Sequence, residues 1–115
     1  MAGAVPPRER RLSAGWQFRE VYRLGKPFHG SLMTLISLKR QDDHGRFAFV
    51  ASRKVGPAVK RNRAKRLLRE AFRATPDTQR DALRWRIWIA RAKCADSVLA
   101  QVSDEMRRLL RREAQ

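Results

Sequence analysis

The sequence predicts an α+β fold, in which a small β-sheet is packed against helices in a sandwich. Three observations lead to this prediction. Three segments have the composition or the alternation of strands, and three others carry the apolar spacing of helices. Along the chain they follow the order helix, strand, strand, helix, strand, helix. With 115 residues and no internal repeat, residues 12–115 are expected to form a single domain.

The N-terminal region predicts a basic tail followed by a short helix. Residues 1–11 contain prolines and arginines but no apolar stretch, so a flexible tail is expected. A helix is predicted within residues 13–24, where Phe18, Val21 and Tyr22 follow the spacing i, i+3, i+4 and share one face. Phe18 and Tyr22 could equally serve as core residues or as exposed stacking groups.

Two strands are predicted after this helix, at residues 31–39 and 46–53. The polar residues 41–45 between them end in glycine, which predicts a hairpin that pairs the two strands directly. Asp42 and Asp43 fall in this turn, and we interpret them as solvated turn residues rather than as paired catalytic carboxylates.

A central helix is predicted next. Gly56 and Pro57 suit its start, and Pro76 prevents it from continuing beyond residues 73–75. Its apolar stripe has the spacing i, i+3, i+4, i+7, i+8 and consists of Ala64, Leu67, Leu68, Ala71 and Phe72.

A polar connection, residues 76–83, leads to a third strand at residues 84–91 and a last helix at residues 97–112. On this strand Trp88 and Arg86 alternate onto the face opposite Ile87 and Ile89. An aromatic side chain beside a cation on an open sheet face could stack on an unpaired base. The alternative is that a helix covers Trp88.

The net charge of the chain is +16, from 27 Lys and Arg against 11 Asp and Glu. Such an excess indicates a polyanionic partner, either nucleic acid or a membrane surface. The sequence has no apolar run long enough for a transmembrane helix. We therefore expect a cytoplasmic protein with a nucleic-acid partner, no membrane partner and no obligate protein partner.

The charges of the central helix form two adjacent lines. One lies opposite the apolar stripe and the other runs along a flank with the spacing i, i+4, i+8. The first line consists of Asn62, Arg66, Arg69 and Arg73, and the second of Arg61, Lys65 and Arg69. Arginine binds a phosphate through two N–H groups at once and lysine acts as a point charge, so both lines suit a nucleic-acid backbone. A merely solvated face would mix both signs of charge, whereas here nearly all are positive.

No catalytic residue and no metal ligand set is predicted in the protein. Cys94 is the only cysteine and is expected to be a small buried thiol. His29 and His44 are isolated and lack metal-ligand spacing. The sequence also has no Gly-rich phosphate loop.

The segment SRKVGPAVKRNRAKRLLREAFR, residues 52–73, closely resembles the signature of the bacterial ribonuclease P protein component. Within it, Arg61-Asn62-Arg63 is similar to the Arg-Asn-Arg motif of that family. The resemblance extends over residues 11–112. It includes the first helix, the segment Ile89-Ala90-Arg91 and the final helix.

This resemblance implies a fold and a function. The family fold contains an unusual left-handed βαβ crossover, against the general right-handed rule. The protein would be the accessory subunit of an endoribonuclease that removes the 5′ leader from precursor tRNA. Catalysis would reside in a large RNA subunit, which would also bind most of the Mg²⁺. The implied partners are this catalytic RNA and precursor tRNA.

The resemblance also implies roles for individual residues. Catalytic-RNA binding is expected for Arg61, Asn62, Arg63 and Arg66. Leader binding is expected for Phe18, Tyr22, Lys65 and Arg69, with Trp88 added from its strand face. Ile36 stands near where family members often have an aromatic residue, so the resemblance implies that one stacking contact is lost. By holding the leader and screening phosphate repulsion, the protein would favour precursor over mature tRNA and lower the Mg²⁺ requirement.

Two other classes of function share some of these features. A general RNA-binding protein, such as a ribosomal protein, would have the same charge but no preference for 5′ leaders. A protein-only nuclease would need clustered carboxylates for metal ions, whereas the acidic residues here are scattered.

Overall fold

The structure is a computed structural model that describes residues 10–41, 43–75 and 83–115. These residues form four strands and three α-helices. In chain order they are α1 (Gly15–Leu24), β1 (Lys26–His29), β2 (Met33–Lys39), β3 (Arg46–Ala51), α2 (Ala58–Arg73), β4 (Arg84–Ala90) and α3 (Leu99–Ala114). Short 3-10 turns at Arg53–Val55 and Ala92–Asp96 precede α2 and α3. The predicted α+β class is confirmed.

The strands form one sheet in the order β1-β2-β4-β3. The pairs β1–β2 and β2–β4 are antiparallel, and β3–β4 is parallel. The predicted hairpin between β2 and β3 is therefore wrong, because β4 lies between them. Five of the seven residues of β4 are buried. This burial is explained by the central position of β4, because helices cover both faces of a central strand.

Strand β1 was absent from the sequence prediction. It has only four residues and contains Pro27, which cannot donate a backbone hydrogen bond. An edge strand tolerates proline, and β1 lies at the edge of the sheet, paired with β2. The tight antiparallel connection in this fold is therefore the one between β1 and β2.

Helix α2 connects the parallel neighbours β3 and β4, which makes a βαβ unit as predicted. The left-handedness of this crossover stays a prediction. Residues 76–82, most of the predicted polar connection from α2 to β4, lie outside the described residues.

Helices cover both faces of the sheet. Helices α2 and α3 pack on one face, where the main core gathers Leu35, Phe47, Phe72, Trp88 and Met106. On the other face α1 buries Val21 against Trp85 and Ile87 in a second, smaller core. In the part of the chain that is described, no helix is long and apolar enough to cross a membrane.

Trp88 does not stand on an open sheet face, so that prediction is wrong. The side chain is 0% exposed, with its ring centroid 6.2 Å from that of Phe72 on α2. Its neighbour Arg86 is also buried and donates two hydrogen bonds, of 2.8 and 2.7 Å, to the carboxylate of Glu113 on α3. Alternation groups residues by face but does not reveal which faces the helices cover. A helix therefore covers Trp88, which is the alternative that the sequence left open, and the ring is not available for stacking in this conformation.

The ordered fold begins earlier than the predicted tail allows. Residues 1–9 lie outside the described residues, but Arg11 forms a parallel bridge with Phe47. The Leu12 N–H also donates to the Phe47 carbonyl at 2.9 Å. The chain thus adds a short segment to the outer edge of β3 before α1 begins.

Helices α1 and α3 both begin without a hydrogen bond from an N-cap side chain. Before α1, the Gln17 carboxamide oxygen accepts the N–H groups of Ser13 and Ala14, in place of a polar N-cap. Helix α3 begins at Leu99, two residues later than predicted. Ser97 does not cap it, because its hydroxyl donates to the Lys93 carbonyl at 2.8 Å.

Candidate RNA interface

The basic residues of α2 surround a narrow apolar stripe that anchors the helix. Ala64, Leu68, Ala71 and Phe72 are buried, and the remaining positions are exposed or half-buried. Asn62 and Arg66 lie fully on the outside. Among the described residues, no hydrogen bond or ion pair holds the side chain of Arg61, Lys65 or Arg66. These cations are therefore available to a partner without first losing an intramolecular contact.

One flank of α2 faces a cleft. Lys65 and Arg69, one helical turn apart, line a cavity of about 270 Å³ together with Phe18 from α1. Its remaining walls are Arg11, Leu12, Phe47, Ala48 and Phe49. The structure thus brings together three of the predicted leader-binding residues, from two helices distant in sequence.

Two donors in this cleft have no partner. The Nε atoms of Arg69 and Arg11 are both buried, and neither makes a hydrogen bond within the described structure. A buried donor that is left unsatisfied costs about 1–3 kcal/mol, and more when it is charged. An anion in the cavity is the chemical group that would satisfy guanidinium donors.

Tyr22 lies one turn beyond Phe18 on α1, at the same flank of the helix. Its residue surface is 50% exposed. Partial burial raises the pKa of Tyr22 above its ordinary value of 10.0, so the hydroxyl stays protonated at neutral pH. Tyr22 therefore presents an aromatic face and a hydrogen-bond donor beside the cleft, although it does not line the cavity itself.

Arg63 has an internal partner that the sequence did not reveal. Its Nε donates to the Ala95 carbonyl at 2.6 Å and its Nη2 to the Ser97 carbonyl at 3.4 Å. These bonds tie α2 to the 3-10 turn that leads into α3. The other residues of the Arg-Asn-Arg motif lack this contact, so Arg63 acts within the fold, and its binding to RNA stays a prediction.

Some of the surfaces around the cleft have no local signal in the sequence. Arg11 was assigned to the tail, yet it forms one wall. Beyond α1 the sheet offers a half-buried row in which Thr34 and Val50 flank Ile89 on neighbouring strands. Alternation predicts the faces of Val50 and Ile89, but the row itself depends on β4 lying between β2 and β3. Ile36, the residue at the family's aromatic position, is also half-buried on this face.

Acidic residues of the described ranges pair with cations of the fold. Within the described ranges, no group of three His, Cys, Asp or Glu could hold a metal ion. Glu113 pairs with Arg86, and Asp43 accepts from Arg46 at 2.7 Å, a hydrogen bond that lowers the pKa of Asp43. Burial raises the pKa of the Cys94 thiol to about 11. The donor set that Mg²⁺ requires is therefore not assembled by these residues.

Fold and site together define a class: a small, strongly basic α+β protein with a cation-lined groove beside its crossover helix. The family model for ribonuclease P matches residues 7–114. The ribonuclease P protein component of Clostridioides difficile is 31% identical over 105 residues, which cover 91% of this chain and 92% of the relative. That of Dehalococcoides mccartyi is 38% identical over 101 residues, covering 87% and 81% of the two chains.

Solved structures agree with these sequence matches. The ribonuclease P protein of Thermotoga maritima superposes with a TM-score of 0.76 at 26% identity, over 89% of this chain and 96% of that one. The Staphylococcus aureus protein gives a TM-score of 0.76 at 25% identity, over 89% and 93%. The chain belongs to the ribonuclease P protein family. It is thus a protein component of the endoribonuclease that processes the 5′ end of tRNA, and it associates with the RNA of that enzyme.

Proposed function

We propose that this protein binds the catalytic RNA through the outer surface of α2 and holds the 5′ leader of precursor tRNA in the cleft between α1 and α2. The observation that supports this division is that α2 presents cations on two sides. Arg66 faces solvent, whereas Lys65 and Arg69 line the cavity beside Phe18. One helix can therefore contact two RNA molecules at once.

The outer surface supplies the contact with the catalytic RNA. Arg61, Asn62 and Arg66 project at fixed spacing from a helix that the sheet holds rigid, and Arg63 stands at its margin. Because Arg61 and Arg66 have no partner within the described residues, binding a phosphate replaces only water. Losing one such charge-assisted contact costs roughly 1–3 kcal/mol.

The cleft supplies the contact with the leader. Phe18 and Tyr22 offer rings on which unpaired bases can stack, and Lys65 and Arg69 meet the phosphates between them. A phosphate oxygen in the cavity would also accept from the buried Nε groups of Arg69 and Arg11. Mature tRNA lacks the leader, so these contacts favour the precursor.

In this proposal hydrolysis is performed by the catalytic RNA with its bound Mg²⁺. The protein residues bind and orient the two RNA molecules. Since both RNAs are polyanions, cations placed between them reduce their mutual repulsion, which lowers the Mg²⁺ concentration needed for assembly.

Cleavage of precursor tRNA at low Mg²⁺ tests the function. The protein alone, a bacterial catalytic RNA alone and their mixture are compared, with the RNA first shown to be competent at high Mg²⁺. Cleavage only in the mixture is the expected result. Cleavage by the protein alone would place an active site in the polypeptide. An absence of any effect of the protein would favour a general RNA-binding protein instead.

Phe18→Ala tests the leader site separately from assembly. The variant should lose preference for precursor over mature tRNA by about 5- to 100-fold, the usual effect of removing one stacking aromatic. Binding to the catalytic RNA should stay unchanged, which a direct binding measurement checks. Undiminished discrimination would show that Phe18 serves only to pack α1 on the sheet.

A further inference from the structure

Trp16 is exposed in a way that the other tryptophans are not. It is 50% exposed, whereas Trp85 and Trp88 are 1% and 0% exposed. A single exposed apolar side chain is ordinary on a protein surface. What sets Trp16 apart is that it belongs to an arginine-containing stripe of α1 and packs on Trp85, whose ring also carries a guanidinium group.

Trp16 and Phe18 lie on opposite flanks of α1. Two residues correspond to about 200° around a helix, so the two rings point away from each other. Phe18 lines the cleft beside α2. Trp16 instead rests on Trp85, with ring centroids 5.7 Å apart and planes inclined by 57°. The flank that bears Trp16 therefore forms a surface separate from the cleft.

Arginine side chains frame this surface. Arg19 and Arg23 follow Trp16 at i+3 and i+7, so all three share one stripe of α1. The Arg40 guanidinium carbon lies 4.0 Å from the ring centroid of Trp85, the residue on which Trp16 packs. Glu20 accepts from Arg23 at 3.0 Å and lies 3.6 Å from Arg40, which holds those two cations in place.

Arg19 differs from its neighbours because it forms no hydrogen bond or ion pair with any described residue. Its donors are therefore available to a ligand. An indole ring flanked by guanidinium groups matches one nucleotide, because the ring stacks on the base and the guanidinium binds the phosphate. A stacked base is recognised by its π-face, so this contact would tolerate any sequence.

We propose that the stripe Trp16–Arg19–Arg23 is a second RNA contact, which takes an unpaired nucleotide of the leader beyond those held in the cleft. The inference rests on the function proposed above. The two sites are close to each other, because Leu12 lines the cleft and four residues of chain separate it from Trp16 by at most about 14 Å. A strand leaving the cleft past Leu12 needs only a few more nucleotides to cross α1 and reach Trp16.

Tryptophan fluorescence reports on this contact directly. Because Trp85 and Trp88 are buried, acrylamide quenches Trp16 preferentially. The holoenzyme is assembled with catalytic RNA and given precursor tRNA that has either a long leader or one cut short enough to fill only the cleft. Only the long leader should protect Trp16 from acrylamide. Equal quenching with both leaders would overturn the proposal.

Substitution gives a second readout. Trp16→Ala should weaken binding of the long-leader precursor about 5- to 100-fold and leave the short-leader precursor unaffected. Trp16→Phe should retain most of the affinity, since a ring remains. Arg19→Ala breaks no internal hydrogen bond or ion pair, so it should fold normally. It should weaken binding of the long-leader precursor alone, which tests the contact without relying on the folding of the Trp16 variants.

Phe18→Ala separates this proposal from the one it rests on. If Phe18→Ala abolishes leader discrimination while Trp16→Ala changes nothing, the cleft is correct and the second contact is wrong. If neither variant affects discrimination, the proposed leader binding itself fails. If Trp16→Ala weakens binding of mature tRNA or of the catalytic RNA equally, the leader is not the occupant.

Discussion

Neighbouring arginines of α2 perform different tasks although they belong to one motif. Arg63 donates to the Ala95 and Ser97 carbonyls, whereas the side chain of Arg66, one turn away, forms no hydrogen bond or ion pair with a described residue. Three residues correspond to about 300° of rotation, so the two side chains project only about 60° apart, and the difference is that Arg63 alone lies within reach of the turn before α3. The guanidinium of Arg63 therefore acts within the protein and that of Arg66 is available outside it.

Paired substitutions should separate these tasks. Arg63→Met keeps the apolar stem but removes both hydrogen bonds, so we expect a loss of about 1–2 kcal/mol in the free energy of unfolding. Arg66→Met should change the free energy of unfolding by less than about 0.5 kcal/mol. It should instead weaken catalytic-RNA binding by roughly 1–3 kcal/mol. Urea denaturation and a binding titration measure the two effects, and equal stability losses would contradict the assignment.

The Cys94 thiol gives a prediction of pH dependence. Burial, reinforced by the negative charge of Glu105, raises the pKa of Cys94 from 9.0 to about 11. Because the folded protein holds this proton more tightly than the unfolded chain, the stabilising contribution is complete below pH 9 and is lost as pH rises through 11. At pH 8 a disulfide reagent should therefore modify Cys94 slowly in the folded protein and rapidly in urea.

The control is Cys94→Ala, which should not show this part of the decline in stability between pH 9 and 11. Rapid modification of the folded protein at pH 8 would mean that Cys94 is accessible and that its thiolate is not suppressed.

At the scale of elements, one carboxylate joins α3 to the turn between β1 and β2. Glu105 accepts hydrogen bonds from the Ser31 N–H and hydroxyl at 3.0 and 2.9 Å. It also accepts from the N–H groups of Leu32 and Met33, at 2.7 and 3.0 Å. A Cβ at Gly30 would lie 2.6 Å from the Glu105 carboxyl carbon, so any larger residue there would have to displace this carboxylate. The short edge strand β1 is thus held in place from the helical layer.

Glu105→Gln tests this connection. The amide retains one acceptor oxygen, but its NH₂ group would face backbone N–H donors, so we expect a loss of about 2–3 kcal/mol in the free energy of unfolding. Asp104→Asn is the matched control, because it makes the same change in charge at an exposed neighbour that pairs only with Arg107. Equal midpoints of urea denaturation for the two variants would show that the turn does not depend on Glu105.

These long-range contacts explain which elements the sequence could predict. Local sequence patterns predict four elements close to their observed bounds. These elements are helices α1 and α2 and strands β2 and β4. Strand β1 has no such signal, because its position depends on pairing with β2 and on Glu105, more than seventy residues away. The pairing of β3 with β4 rather than β2 likewise depends on burial of β4, which a local turn pattern does not record.

The same limit applies to the site. The cations of α2 were identified from spacing alone, and Lys65 and Arg69 do line the cavity with Phe18. Trp88 was misassigned because alternation cannot show that α2 and α3 cover its face. Arg11 was missed because its place in the cleft depends on pairing with the edge of β3. The charges of one helix can be identified from its own sequence. The walls of the cavity cannot, because they come from segments that are distant in sequence.

At the scale of the whole molecule, the net charge of +16 should govern RNA binding through the release of counterions. If about six phosphates are neutralised, the logarithm of the binding constant for catalytic RNA should fall with the logarithm of salt concentration with a slope of roughly −4 to −5. Titrations at several salt concentrations measure this slope. A salt-independent affinity would contradict an electrostatic contact.

Single substitutions show whether this charge acts locally or as a whole. Arg66→Gln should make the slope shallower by about one unit, because one phosphate contact is lost. Arg107→Gln removes the same charge from α3, where the guanidinium pairs with Asp104, and should leave the slope nearly unchanged. If both variants make the slope shallower by the same amount, the attraction comes from the total charge of the molecule. If only Arg66→Gln does, the surface of α2 is the one that meets the catalytic RNA.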